Sequence, residues 1–278
     1  MKLGNRGFFS ANIEIWTDLK RRRLKNWFRF IEGLNRAAMR LLATVEPDPQ
    51  NKQQLCAVLL YRRALQTFQG SILLAERGMI ADALTLVRSC AETAIAIGCF
   101  AADDKFFDRL IDDDANHRLT YANVILGDKY LSESLSSEEV SNLQNVVSAI
   151  NKKYSNGRPK SINWADAAKD AQMGVLYNMI YRWTSGDATH VTINAFARHV
   201  TAEPNHRLPY PNVIQVAQDE GQALTPTFQT ETRDLVLCLS GATSAILHSM
   251  NALGQIFPQK GIDKPVKRYL DLWSQLVP

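Results

Sequence analysis

Residues Met79–Ala102 read MIADALTLVRSCAETAIAIGCFAA, a nearly unbroken run of small and apolar side chains long enough for about six turns of helix. Its only charges are Asp82 near the start and Arg88 and Glu92 in the middle. Arg88 and Glu92 stand four apart, so on a helix one lies above the other, among Leu84, Ala91 and Ile95. A helix that is apolar all round belongs in a core, where a charge is costly unless it is paired. The pair is therefore either a buried structural ion pair or the floor of a polar site. The rest of the chain is expected to pack around this helix.

Just upstream, Lys52 to Glu76 carries Leu55, Leu59, Leu60, Ala64, Phe68, Ile72 and Leu73 at a spacing that predicts a helix with those residues inward. Arg77-Gly78 stops it, and so short a link makes the two helices an antiparallel hairpin. Arg62 and Arg63 fall near its middle, where one of them could reach the partner helix. Before that, residues 18–45 predict one amphipathic helix, with Asp18 as its N-cap and Glu46-Pro47-Asp48-Pro49 as its stop. Leu24, Trp27, Phe28, Ile31, Leu34, Ala38 and Leu41 form its apolar stripe, and Arg22, Lys25, Arg29, Arg36 and Arg40 a basic one. Such a basic stripe suits a nucleic-acid backbone, an anionic membrane surface or plain solvent.

Downstream, Asp103-Asp104 is placed to cap a helix over Lys105 to Gly127. Asp104, Asp108 and Asp112 recur every four residues, followed by Asp113 and Asp114. Carboxylates in that array can hold Mg²⁺ or Ca²⁺, but such a run is more commonly a solvated face, and we assign no metal. Ser136 or Ser137 with Glu138 and Glu139 signals a helix reaching about Lys153. After the Ser155–Pro159 loop, a helix is expected from Trp164 to Ser185, with Tyr177, Tyr181 and Ser185 along one line. The helical pattern then breaks, and segments 195–200 and 212–216 around EPNHRLPYPN suggest a small β-hairpin near 195–217. Thr225-Pro226-Thr227 is expected to open a last long helix over 225–257, and 265–276 forms a tail helix.

The composition supports one all-α bundle of about seven helices over residues 1–278: 46% of the chain is hydrophobic, and no linker, repeat or low-complexity tract divides it. A net charge of +4, from 32 basic and 28 acidic residues, neither demands nor excludes nucleic acid. Cys56, Cys90, Cys99 and Cys238 show no CxxC or Cys/His metal spacing and read as reduced core residues of a cytoplasmic protein. The N-terminal sequence has no secretory apolar region, and the arginine and glutamate inside 79–102 argue against a membrane span. There is no GxGxxG, P-loop or zinc pattern, so no cofactor is indicated. Ser185, Asp187 and His190 lie too close together for a hydrolase triad. Glu203-x-x-His206 is half of a di-iron pair with Pro204 inside it and no second copy.

One constellation remains: Arg88, Glu92, Tyr181, Ser185 and His190. Brought together between two helices, they would make a polar cluster where bundles place their sites. His190 could serve as general acid or base, and Arg88, held by Glu92, could counter an anion. Tyr181 and Ser185 would orient a substrate oxygen or phosphate. The same residues could equally fix the register of a bundle as a buried structural network.

Tyr61-Arg62-Arg63-Ala64, Gly78 with Ala81-Asp82-Ala83-Leu84, Arg88-x-x-x-Glu92 and Tyr181-x-x-x-Ser185-x-x-x-x-His190 resemble, in order and context, a widespread bacterial all-helical family of unknown function. The likeness covers roughly residues 52 to 220 and implies that the five cluster residues are signature positions. A more distant resemblance is to the HEPN superfamily, helical-bundle proteins of bacterial toxin and phage-defence systems, several of them metal-independent RNases. Their hallmark is an Arg and a His on one helix with four to six residues between them, paired across a dimer. Here Arg182 precedes His190, and Arg109 precedes His117, with seven residues between in each case. The resemblance implies an RNA-binding or RNA-cleaving protein of defence or stress response, with RNA as partner. The alternative is a non-catalytic scaffold that binds a protein or a second copy of itself.

Overall fold

The computed structural model describes residues 4–155, 157–188, 200–202, 224–226 and 232–276. Among the described residues the fold is all-α but for one pair of three-residue strands. The first helices are α1 (Asn12–Arg23), α2 (Lys25–Thr44), α3 (Lys52–Glu76) and α4 (Ile80–Ala102). They are followed by α5 (Phe106–Gly127), α6 (Lys129–Glu133), α7 (Ser137–Lys153) and α8 (Trp164–Asp170). A composite helix comes next: α9 (Gly174–Leu176), a π-helical turn (Tyr177–Tyr181) and α10 (Arg182–Ala188). Strands β1 (Val200–Ala202) and β2 (Leu224–Pro226), then α11 (Thr232–Ile256) and α12 (Asp263–Ser274), complete the order. The chain divides into two compact units, residues 1–102 with 168–278, and residues 103–167.

The larger unit is organised around α4, as its composition demands. From Ala91 to Phe100 every residue of this helix except Glu92 is buried, and α4 packs along both α3 and α11. The turn from α3 to α4 is a Schellman motif: Gly78 N–H bonds Ala75 O at 2.9 Å and Met79 N–H bonds Leu74 O at 3.0 Å. Gly78 has φ 88°, a left-handed conformation that costs glycine little. At the other end of α3, the Asn51 side chain caps the helix by accepting from Gln54 N–H. Both α4 and α11 are long and apolar enough to cross a membrane, yet 72% and 67% of their most apolar windows are buried inside the protein.

Several expectations are corrected. The 18–45 segment is two helices that meet at Leu24, whose φ −107° and ψ 36° break the helix, and Asp18 lies inside α1 instead of capping it. The bend has an electrostatic counterpart. On a straight helix Arg21 and Glu32 would be about 16 Å apart along the axis, whereas here Arg21 Nη1 lies 2.8 Å from Glu32 Oε1. On α3, Leu55, Leu59 and Leu73 are exposed, and the inward face is Ala57, Tyr61, Ala64, Leu65, Phe68, Ile72 and Ala75. Leucines surround this helix, so their spacing does not choose a face; the small residues that admit α2 and α4 do. Arg62 and Arg63 are exposed.

The Trp164–Ser185 helix is interrupted at 171–173, where Gln172 takes φ 56° just before Gly174. β1 starts inside the expected hairpin region but pairs antiparallel with β2, Val200 opposite Pro226 and Ala202 opposite Leu224. The other expected strand, 212–216, lies outside the described residues. Thr225 and Pro226 therefore belong to a strand end, where a missing N–H is tolerated, and the long helix starts later, at Thr232.

In the unit formed by 103–167, α5 packs against α7. Ser136 and Glu139 form the capping box expected of them, which lowers the Glu139 pKa through hydrogen bonds to the Ser136 backbone and side chain. The aspartates of α5 are partly structural. Asp112 accepts from Tyr154 Oη at 2.6 Å, and Asp113 from Ile162 N–H at 2.8 Å. Among the described residues no three His, Cys, Asp or Glu side chains converge as metal ligands would.

Candidate functional site

The site starts from a close approach. A Cβ on Gly241 of α11 would stand 3.0 Å from Val87 Cγ1 and 3.6 Å from Ile180 Cδ1. Glycine there lets α11 lie against the residue before Arg88 and the residue before Tyr181. With those two apolar neighbours turned toward α11, Arg88 and Tyr181 face each other between α4 and the composite helix.

Arg88 holds the cluster together. Its Nη2 donates to Tyr181 Oη at 2.7 Å and its Nε to Ser185 Oγ at 3.1 Å, reaching across more than 90 residues of chain. The Ser185 hydroxyl in turn donates to Tyr181 O at 2.6 Å, which fixes its lone pairs toward the guanidinium. Glu92 lies one turn along α4, its Oε2 3.9 Å from Arg88 Nη1. The guanidinium carbon also stands 4.2 Å from the Tyr181 ring centroid. Behind that ring Tyr177 is stacked, with centroids 5.0 Å apart and planes 19° from parallel. Both rings project from the π-helical turn.

The cluster is half-buried, with the Arg88 side chain 24% and Glu92 30% exposed. Burial pushes the Tyr181 pKa up; Arg88 opposes that shift, while the charge of Glu92 and a hydrogen bond to its carboxylate add to it. At neutral pH the Tyr181 hydroxyl is therefore a proton-bearing group that accepts from Arg88 and donates to Glu92. Chemically this is a cation held in a fixed orientation by two hydroxyls and a carboxylate, an arrangement suited to meeting an anion. Four of the five residues expected to form the cluster are thus together; His190 lies outside the described residues.

The basic stripe is only partly a stripe. Lys25, Arg29, Arg36 and Arg40 are exposed and share one face of α2 over about 22 Å. Arg22 is exposed too but stands on α1, beyond the break. Glu32 shares that α2 face and is taken up by Arg21.

A second polar centre escaped the sequence reading. Glu76, at the end of α3 and 4% exposed, receives Arg21 Nη2 and Nε, each at 2.8 Å, and Arg77 Nη1 at 3.3 Å. A lone glutamate just before a helix-stopping glycine was the available signal. It ties α1 to α3.

An all-α protein with an Arg–Tyr–Ser–Glu cluster between a buried helix and a π-turned one is the class that fold and site define. The chain belongs to DUF5677, a family of unknown function, whose profile matches residues 54–207. All five candidate cluster residues fall inside that range, and the basic residues of α1 and α2 fall outside it. No curated protein and no solved structure matches the chain.

Proposed function

We propose that this chain is a HEPN-like cytoplasmic protein of bacterial defence or stress response that binds or cleaves RNA, with Arg88 as its phosphate-binding group. The observation that carries this reading is the anchoring of one partly exposed guanidinium by hydroxyls from a helix distant in sequence. Arg88 has five N–H donors, and the two bonds to Tyr181 and Ser185 leave others for a phosphate oxygen. In cleavage, His190 takes the proton from a ribose 2′-hydroxyl as that oxygen attacks phosphorus. The bond to the 5′-oxygen breaks as that oxygen takes a proton from water, leaving a 2′,3′-cyclic phosphate and a free 5′-hydroxyl, and Arg88 counters the charge that builds on the phosphoryl oxygens. The basic face of α2 holds the strand without reading its sequence.

A second reading is supported by a different observation. Val175, Met179 and Trp183 recur every four residues on the composite helix and are 75%, 66% and 45% exposed. On that reading the polar cluster is a lock that presents this apolar line to a protein partner. One set of variants separates the two. If RNA is the substrate, wild type binds a labelled single-stranded oligonucleotide in a salt-dependent way, and His190→Ala abolishes cleavage without lowering the melting temperature. Absence of RNA binding at low salt, together with unfolding of Arg88→Ala, favours the lock.

A further inference from the structure

The smaller unit, residues 103–167, carries a recess that neither reading uses. It has a volume of about 400 Å³ and is lined by Asp112 of α5, Lys153 and Tyr154 at the end of α7, and Gly157, Arg158 and Lys160 of the following loop. That volume lies in the range of small-molecule sites. Lys153 is already answered by the carboxylates of Asp112 and Asp108, so the positive charge open to a ligand is that of Arg158 and Lys160. The carboxylate is already engaged: Asp112 accepts the Tyr154 hydroxyl at 2.6 Å. Lys153 stands 4.8 Å over the centroid of the Tyr154 ring. Arg158 and Lys160 are exposed and form no ion pair with any described residue.

The cations sit on a pinned loop. At its start is the Tyr154–Asp112 bond; at its end Asn116 donates to Ser161 Oγ at 2.7 Å and Ile162 N–H bonds Asp113 at 2.8 Å. Pro159, in the middle, is buried. These ties, with Pro159 buried, keep the backbone that carries Arg158 and Lys160 beside the recess. The charges also converge on a hollow, whereas cations that follow a nucleic-acid strand lie in a row. A phosphomonoester carries a charge of roughly −1.5 to −2 at neutral pH, which suits the two cations Arg158 and Lys160; each diester of a strand carries about one.

We propose that this recess binds the terminal phosphate of a small phosphorylated ligand of nucleotide size. Calorimetric titration of the full chain with AMP, inorganic phosphate, adenosine and the dinucleoside monophosphate ApA tests it. AMP and phosphate should bind saturably, and adenosine should not. Arg158→Ala and Lys160→Ala, checked for intact helix content by circular dichroism, should each weaken AMP by roughly tenfold or more, since each removes a charge-assisted contact. Lys160→Gln serves if the alanine variants fold poorly. Arg158→Ala should leave binding of the single-stranded oligonucleotide unchanged, which keeps this test independent of the RNA reading. The proposal is overturned by absence of saturable AMP or phosphate binding, by equal binding of adenosine, or by full affinity in the loop variants. Tighter binding of ApA than AMP would also overturn it, making the loop a strand contact.

Discussion

Replacing Tyr181 by Phe deletes a single oxygen and asks how firmly the composite helix is held to α4. The ring stays, 4.2 Å from the Arg88 guanidinium and 5.0 Å from Tyr177, so the stacking terms survive. What is lost is the 2.7 Å bond from Arg88 and the bond to Glu92. A hydrogen bond to a charged group contributes about 1.5–3 kcal/mol when sheltered. Arg88 is 24% and Glu92 30% exposed, so water replaces part of it, and about 1 kcal/mol of lost stability is expected. Arg88→Met removes the bonds to both hydroxyls and the cation–ring contact, for about 2 kcal/mol. Because the two changes delete one shared bond, the double variant should lose less than their sum, with a coupling of about 1 kcal/mol. Urea unfolding followed by far-UV circular dichroism, at unchanged m-value, reads all four corners of the cycle. Strict additivity, or a Phe variant within about 0.3 kcal/mol of wild type, would refute the claim that this bond couples the two helices.

Other outcomes follow from the same geometry. Tyr181 holds its proton more tightly folded than unfolded, so its contribution is complete below the ordinary tyrosine range and is lost as pH rises through its raised folded value. Stability should therefore fall above about pH 10, and less steeply in Tyr181→Phe, as thermal melts across alkaline pH would read. Glu76→Ala leaves Arg21 and Arg77 without their shared carboxylate; with those arginines 37% and 44% exposed and able to hydrate, a loss of about 2 kcal/mol is expected, short of the 3–5 kcal/mol of a fully buried pair. The chemical-denaturation midpoint checks it, and an unchanged midpoint would show that α1 is not tied down there. Burial pushes the Cys90 thiol up to about 12 and raises Cys56 as well. In the native protein a thiol reagent at pH 8 should label only the half-buried Cys56, slowly, while denaturant opens the buried Cys90, Cys99 and Cys238.

The sequence made the fold class readable because the strongest signals were local. The apolar run of α4, the Arg77-Gly78 stop and the Ser136–Glu139 cap each act within a turn or two of helix, and each is present. Boundaries that depend on partners distant in the chain were not legible. Nothing near Leu24 announces a break; the pull of Glu76, 55 residues from Arg21, is a tertiary fact. Likewise Leu55 and Leu59 look inward on spacing alone, and only the small side chains of Ala57 and Ala64 reveal which face a neighbouring helix can approach. The candidate site was legible to the extent that polar groups on apolar helices stand out: Arg88, Glu92, Tyr181 and Ser185 were selected for that reason. The carboxylate clamp at Glu76 and the basic recess after α7 were not, since charged residues at helix ends look like ordinary surface.

The π-helical turn at Tyr177–Tyr181 carries one residue more than an α-helical path of the same rise. Deleting a residue of α10 between Tyr181 and Ser185, beyond that turn, would rotate Ser185 by about 100° relative to Tyr181, taking it away from Arg88 while Ile180 stays wedged against Gly241. Descendants of this chain can therefore exchange outward side chains such as Asn178 at small cost, but the spacing from Tyr181 to Ser185 tolerates no change of length. Its residue count, as much as its composition, is under physical constraint.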